Sequence, residues 1–170
     1  MAPWIATEAR SDRRQSLVKR GFMSREELQQ CRSPRGNRDV PDPEADEVVT
    51  FAAFHERGLA FPPHWFIRGL LDLYALELHH LTPNGVLQMS VFVTLCEAYL
   101  GIEPNSVLWR YFFRVRRASN DDHSLFGGAV VQLRQGKDYF HVPLSSSNSG
   151  WRRDWFIIKN PSPGFPNFTG

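Results

Sequence analysis

The sequence predicts an α+β fold in which a helical core of about three main helices is followed by a small three-stranded antiparallel sheet. Two stretches, residues 64–78 and 83–100, are apolar on most sides, and their few polar residues recur at helical spacing. Beyond residue 123 the apolar period shortens to two, which is typical of strands. Helices followed by strands are the order of an α+β domain.

The composition indicates one domain of ordinary size. The chain has 170 residues, of which 42% are hydrophobic, and its net charge is +2. This apolar share can build a core, and the near-neutral charge predicts no strong overall attraction to nucleic acid or acidic membranes. The sequence contains neither the apolar core of a secretory signal nor a membrane-spanning stretch. We therefore expect an intracellular protein, with a nuclear location possible in principle, and not a secreted one.

Residues 1–46 are predicted to form a basic, partly flexible N-terminal arm with short helices. Gly21 suits the end of a first helix, and Ser24 with Glu27 matches a capping box that starts a second one. Several prolines and Gly36 break the stretch 32–47, which we interpret as a loop or linker. A solvated arm is the simpler interpretation of the basic residues, and a nucleic-acid-binding arm is the alternative.

Residues 47–161 are predicted to form the domain itself, beginning with a short strand at 48–51 and a short helix at 51–57 that Gly58 ends. A central helix then covers residues 64–78. The next helix has clear boundaries, because Thr82 suits its N-cap, Pro83 its first turn and Gly101 the position past its end. A third helix is predicted from residue 105 or 106 to about Arg117.

The predicted sheet lies in the last third of the chain. Residues 128–134 and 139–144 are predicted to form the two strands of a hairpin around the turn 135–138. Residues 151–159 are predicted to form a third strand. Three short strands alone are marginally stable, so we expect them to pack on the helices. Residues 162–170 are predicted to be a proline-rich tail.

Arginines on the third predicted helix are the candidate site. Arg110, Arg114 and Arg117 recur at i, i+4 and i+7 and would share one helix face, with Arg116 beside them. Such a face would bind phosphate groups or an acidic partner. The alternative is that internal carboxylates neutralise it. The candidates for this role are Glu97, Glu103 and Asp121.

We found no complete catalytic motif, so we expect neither catalytic residues nor a cofactor or metal site. Asp121 and Asp122 lack the Tyr-x-Asp-Asp pattern of a reverse transcriptase, and Asp-Thr-Gly, Asp-Ser-Gly and Cys-x-x-Cys do not occur. A metal-binding triad of an integrase-type transposase would have to come from Asp72, Glu97 and Asp154. The first two lie on predicted helices, whereas such a triad requires a central sheet.

Three further features are better explained by structure than by chemistry. His79 and His80 are adjacent, so they cannot chelate a metal as an i, i+4 pair does, and we expect hydrogen-bonding roles near Thr82. Cys96 lies in the most apolar helix and is predicted to be a buried small hydrophobe. Trp151 and Trp155 would share one strand face, which favours core packing over base stacking.

The segments LHHLTPN at 78–84, CEAYLGIEP at 96–104 and LWRYFF at 108–113 occur in fixed order, followed by GGAVVQLRQG at 127–136 and SGWRRDWFIIKNPSP at 149–163. Together they resemble the gypsy-type transposon domain of plants, also called the gypsy-type transposase domain. The LVKRGF segment at 17–22 is similar to its N-terminal helix.

The resemblance implies a protein derived from a plant retrotransposon, without established catalytic residues to carry over. We therefore expect a non-catalytic protein interaction or assembly module. Its partner would be a protein, self-association included, and not a membrane. A nucleic-acid-binding module is the alternative, and a divergent metal-dependent transposase is less favoured.

Overall fold

The protein is described here by a computed structural model, which covers residues 4–36, 40–117, 126–144 and 150–169. Along this part of the chain, two helices and two strands are followed by four helices and then three strands. The helices are α1 (Ser11–Lys19), α2 (Arg25–Gln29), α3 (Ala52–His55), α4 (Trp65–Leu73), α5 (Pro83–Thr94) and α6 (Ser106–Phe112). The strands are β1 (Cys31–Arg32), β2 (Glu47–Phe51), β3 (Phe113–Arg117), β4 (Ala129–Leu133) and β5 (Trp155–Lys159). The α+β class predicted from the sequence is confirmed.

A three-stranded antiparallel sheet has the strand order β1-β5-β2. In its register Val48 lies opposite Ile158, and Phe51 lies opposite Trp155. The first four residues of β5 are buried, and so are all five of β2. A strand buried on both faces carries consecutive apolar residues instead of alternating ones, which explains the Trp-Phe-Ile-Ile sequence of β5.

The N-terminal helices cover one face of this sheet. Leu17 of α1 is fully buried and clusters with Phe156 of β5 and Ala52 of α3. The predicted capping box is present, since Ser24 Oγ accepts a bond from the Glu27 backbone and the Glu27 carboxylate accepts one from the Ser24 backbone. The sequence predicted a partly flexible arm in this region. The described residues of that region instead supply a buried layer and the edge strand β1 of the sheet.

The main core lies on the other face of the sheet and contains α4, α5 and the inner side of α6. Phe66, Phe92, Trp109 and Phe113 pack there through edge and stacked ring contacts. The predicted limits of α5 are confirmed: its N-cap Thr82 accepts a bond from the Gly85 backbone at 3.0 Å. Residues 95–100 continue the helix with π geometry, and Gly101 ends it with a φ of +63°.

The predicted third helix is wrong beyond Phe112. Residues 113–117 form β3, which pairs antiparallel with β4. Phe113 and Val115 alternate with Arg114 and Arg116, and this period of two places the apolar pair inward and the arginines outward. The spacing of the arginines along the sequence is also compatible with a helix. In the strand, however, Phe113 is completely buried.

The predicted hairpin between 128–134 and 139–144 is also wrong. β4 pairs with β3 instead, and residues 137–144 have no regular structure. Tyr139 leaves the strand pattern because its ring packs on Phe112 and Phe113. The third predicted strand begins only at Trp155, since a short 3-10 turn covers Trp151–Arg153.

The end of the chain packs on the domain. The Asn160 side chain, which is buried, bonds to both the backbone N–H and the carbonyl oxygen of Phe165. These bonds direct the Phe165 ring into the main core, where it is 3% exposed. The sequence predicted a tail from residue 162, and this contact ties that segment to the core instead.

Candidate functional site

The structure rearranges the four candidate arginines. Arg110 lies on the exposed side of α6, whereas Arg114 and Arg116 lie on the outer face of β3. Arg117 is the last residue of β3, and its side chain lies outside the described part of the structure. The predicted single helix face does not form, because the chain changes from helix to strand between Arg110 and Arg114. Arg114 and Arg116 still share a surface, since alternate residues of a strand point to the same side.

Within the described part of the chain, Arg110, Arg114 and Arg116 form no ion pair with Glu97 or Glu103. Glu97 lies 3.0 Å from His64 Nε2 instead. Asp121 is outside the described residues. Across the described ranges, Arg110, Arg114 and Arg116 form no ion pair, and the guanidinium of Arg114 donates only to Gln132 Oε1 at 3.4 Å.

The segment before and within α6 exposes large apolar side chains. Val107 and Tyr111, one helical turn apart on the same side of α6, are 79% and 54% exposed. The opposite side of the helix is anchored, because Trp109 is fully buried. We define the α6 surface as the exposed apolar residues of this segment. They are Tyr99, Leu100, Ile102, Val107 and Tyr111.

Two cations near the α6 surface are held by the protein itself. Lys137 Nζ lies 3.6 Å from the centre of the Tyr111 ring, a cation–π contact. Arg134 Nε donates to the carbonyl oxygens of Arg110 and Phe113 at 2.7 and 3.1 Å. It thereby satisfies carbonyl groups at the C-terminal end of α6, where a positive charge is favourable.

A groove of about 580 Å³ lies between the start of α5 and β4. Thr82, Gln88, Gln132, Leu133 and Trp151 are among its lining residues. Gln88 is 6% exposed, and its Oε1 has no hydrogen-bond partner among the residues that the structure describes. The sequence offered no signal for this groove, because its lining comes from segments far apart in the chain.

The densest charge cluster joins the two ends of the predicted linker. Arg32 Nη2 and Nε donate to the two oxygens of Glu47, with a shortest distance of 2.6 Å. Lys159 Nζ lies 3.6 Å from Glu47 Oε1. The bond from Arg32 lowers the pKa of Glu47 to about 2, against the effect of its burial. This pair closes the 32–47 loop against the sheet.

Two buried histidines are held neutral. Burial lowers the pKa of His55 to about 3, and its Nε2 lies 3.2 Å from Thr50 Oγ1. Burial, with a smaller effect of His80, lowers the pKa of His79 to about 3. His79 Nδ1 is 3.4 Å from Glu77 Oε2, a contact of a neutral ring, and His80 Nδ1 accepts a bond from the Glu77 backbone. Both histidines thus interact with Glu77.

The remaining residues singled out from the sequence lie apart from one another. Asp72 is exposed on α4, and Asp154 Oδ2 accepts a bond from Arg13 Nε at 3.1 Å. Among the described residues, no group of three His, Cys, Asp or Glu side chains is close enough to hold a metal ion.

Cys96 and the two tryptophans lie where packing was expected. Cys96 is 1% exposed, and burial raises the pKa of its thiol. Trp155 is fully buried on β5. Trp151, although outside the strand, packs on Phe51 and Phe54. The predicted packing roles of these three residues are confirmed.

Comparison with known proteins identifies the central part of the chain. Residues 48–117 match the family described as "Putative gypsy type transposon". This segment is a gypsy-type transposon domain. It contains β2, the three main helices and the strand with the candidate arginines, so the family suspected from the sequence words is confirmed and the protein is transposon-related.

Other comparisons add no relatives. Searches of curated proteins and of solved structures found no match to the chain. In the described part of the chain, none of the helices has the length and apolar character needed to cross a bilayer.

Proposed function

We propose that this gypsy-type transposon domain is a non-catalytic protein interaction module whose α6 surface binds a protein partner that is apolar and acidic. The observation that carries the proposal is the exposure of five large apolar side chains within residues 99–111. Apolar side chains grouped in this way are typical of interaction sites rather than of ordinary surface.

The construction of α6 supports a docking role. Trp109 anchors the helix in the core, so Val107 and Tyr111 are presented on a rigid element. A rigid contact surface loses little conformational entropy when a partner binds. Tyrosine and arginine are also enriched in the central parts of protein interfaces.

The charges beside this surface favour an acidic partner. Arg110, Arg114 and Arg116 are exposed and have no carboxylate partner among the residues described. Complementary charges on a partner would speed association and select against basic surfaces. The partner is therefore expected to offer carboxylates around an apolar centre. A second copy of the chain is one protein of this kind that can be tested directly.

The test replaces the apolar contact and leaves the fold intact. Val107→Ser combined with Tyr111→Ser removes two exposed side chains, and Leu73→Ser is the matched control because Leu73 is 50% exposed on α4. Self-association is measured by sedimentation equilibrium, and partner capture by quantitative cross-linking in cells. We expect the double variant to lose association at least about tenfold, with the control unchanged. If the wild type associates with no protein, or both variants associate equally well, the proposal is wrong.

Nucleic-acid binding is the second candidate, and the outward arginines of β3 favour it. Their side chains are free to meet phosphate groups, and Tyr111 offers an exposed ring nearby in the chain. Phosphate contacts make binding depend on salt, with a slope of about −0.9 per contact on duplex DNA in a plot of log K against log salt concentration.

Fluorescence anisotropy with short DNA and RNA duplexes at several salt concentrations tests this alternative. Arg114→Glu combined with Arg116→Glu is compared with Arg10→Glu combined with Arg25→Glu, which changes the net charge equally in the N-terminal helices. Nucleic-acid binding by β3 requires a salt-dependent affinity that only the first pair abolishes. Loss of binding in the second pair alone would assign it to the N-terminal segment.

A further inference from the structure

We propose that an extended peptide of alternating acidic and apolar residues, supplied by a protein partner, binds as an added strand along the free edge of β4. The inference rests on the proposed function as a protein interaction module, and it names a second contact and the chemistry of its ligand. Strand addition of this kind uses main-chain hydrogen bonds for affinity and side-chain pockets for specificity.

The hydrogen-bond pattern of the β3–β4 pair identifies the free edge. The Arg134 N–H donates to the Phe112 carbonyl oxygen at 2.7 Å, so these two residues form a hydrogen-bonded pair. Such pairs alternate in an antiparallel ladder, which makes Gln132 the next residue of β4 bonded to β3. The N–H and C=O groups of Val131 and Leu133 therefore point to the opposite edge of β4. No described residue forms a backbone hydrogen bond to them there.

This edge already pairs with another segment at its beginning. Leu81 forms a parallel bridge with Ala129, directly before α5 starts. Beyond the bridge the chain turns into α5, and no other described segment pairs with the rest of the edge. The groove follows four consecutive residues of β4, from Val130 to Leu133, which corresponds to roughly 13 Å of strand. Its volume of about 580 Å³ lies within the range of ligand pockets.

The side-chain oxygen of Gln88, in the wall of the groove, has no hydrogen-bond partner among the described residues. Gln88 itself is 94% buried, being 6% exposed. Buried polar groups are nearly always satisfied, so the unpaired oxygen of this amide favours a donor that a ligand supplies. A peptide N–H is a donor of the required kind, and a strand along β4 brings such donors into the groove.

The charges select the side chains of the peptide. The groove lining contains no charged residue, but Arg114 Nη2 reaches Gln132 Oε1 at its outer rim. Peptide residues on the outer face therefore meet a guanidinium group that has no carboxylate partner in the described part of the chain. Peptide residues on the inner face would lie opposite the apolar side chains of Val131 and Leu133. An alternation of Glu or Asp with Val or Ile satisfies both faces.

Leu133 allows a test that removes the edge donor alone. Its N–H points to the open edge, and its side chain is 40% exposed, so Leu133→Pro deletes that donor without breaking a bond to β3. Leu133→Ala shortens the side chain similarly and keeps the donor. The probe is a fluorescein-labelled peptide of alternating valine and glutamate, with fluorescence anisotropy as the readout. We expect Leu133→Pro to weaken binding at least about tenfold and Leu133→Ala to remain within about threefold of the wild type.

The probe itself carries two further controls that do not depend on the folding of a variant. Replacing its glutamates with lysine, or methylating the backbone nitrogens that face β4, is expected to abolish binding. Hydrogen exchange should slow at Val131 and Leu133 when the unmodified peptide binds. If the lysine peptide binds as well as the glutamate peptide, if Leu133→Pro binds like the wild type, or if no peptide binds, the inference is wrong.

The two proposals fail independently. The Val107→Ser and Tyr111→Ser variant should still bind the peptide, because the α6 surface is not part of the groove lining. Conversely, Leu133→Pro should leave association through the α6 surface intact. If instead the wild type dimerises and only Leu133→Pro abolishes the dimer, the occupant of the edge is a second copy and not an acidic peptide.

Discussion

The β1-β5-β2 sheet and the α6–β3–β4 region use the same residue types in opposite ways. At the sheet, arginines and lysines meet carboxylates: Arg32 binds Glu47, and Lys159 binds Asp46 at 2.9 Å. Around β3, the arginines of the described structure meet no carboxylate. Composition alone cannot separate the two groups, since both lie in basic stretches. The difference indicates that the charges at the sheet serve the fold, whereas the proposed function assigns those on β3 to a partner.

The aromatic residues divide in the same way. Trp155 of β5 is fully buried, packs on Trp4 and donates from Nε1 to the Ile5 carbonyl oxygen at 2.8 Å. Tyr111 of α6 is exposed, and its ring contacts Lys137. Stability should therefore depend on the first region and binding on the second.

The largest expected effect comes from truncating the central aromatic residue of the sheet region. Trp155→Ala should reduce the free energy of unfolding by about 3–5 kcal/mol, because it leaves a cavity between the N-terminal segment and the core. Tyr111→Ala should change it by less than about 0.5 kcal/mol, since the ring is exposed. Urea denaturation followed by circular dichroism measures both. Equal losses would remove the distinction between the two regions.

The ion pair at the sheet edge should produce the next largest effect. Arg32→Ala leaves the carboxylate of Glu47, which is 4% exposed, with the Glu44 backbone N–H and the more distant Lys159, and should cost about 2–3 kcal/mol at neutral pH. Arg114→Ala, which removes an exposed guanidinium, should cost less than about 0.5 kcal/mol.

The same pair predicts a pH dependence. The pKa of Glu47 is lowered from 4.5 to about 2 in the folded state, so its stabilising effect is complete above pH 4.5 and is lost as the pH falls to about 2. Urea denaturation along this pH series should show a shallower loss of stability in Arg32→Ala than in the wild type. An unchanged pH profile would mean that the pair does not stabilise the sheet.

Between pH 7 and pH 5, the smallest of these effects comes from the buried His55. Its pKa is lowered from 6.5 to about 3, so below pH 6.5 the unfolded chain binds a proton that the folded chain excludes. Stability should therefore fall with decreasing pH, by up to about 1.4 kcal/mol per pH unit from this residue. His55→Phe keeps the ring between Phe61 and Phe156 and should reduce that slope between pH 7 and pH 5.

His141→Phe, at an exposed position, is the control for introducing a phenyl ring elsewhere in the chain. If both histidine variants show the wild-type slope, the acid sensitivity of the fold has another origin.

Elements with strong local signals were predicted well from the sequence. Thr82, Pro83 and Gly101 delimit the helical stretch 83–100, and Ser24 with Glu27 starts α2, because caps depend on neighbouring residues in the chain. The packing roles of Cys96 and Trp155 followed from the apolar residues around them. The order of helices and strands likewise sufficed to predict the fold class. The short sequence segments that occur in fixed order sufficed to identify the family.

The candidate site was predicted only in part, because its geometry depends on contacts between distant segments. Arg110, Arg114 and Arg116 are exposed, as a binding role requires, but the helix face assumed for them is replaced by a helix and a strand. Over only five residues, the sequence FRVRR is compatible both with the residue spacing of a helix and with the alternation of a strand. Pairing with β4 and burial of Phe113 decide for the strand.

The sequence by itself determined the capped helices, the α+β class and the family of residues 48–117, since each of these depends on local patterns or fixed words. Tertiary structure alone decided the partners of the strands. β1 and β2 pair with β5 across more than a hundred residues, and no local sequence pattern indicates the register of this pairing. The free edge of β4 and the unpaired amide of Gln88 also arise only when α5 and β4 are brought together. Local interactions select elements, but the burial of apolar surface selects which elements meet.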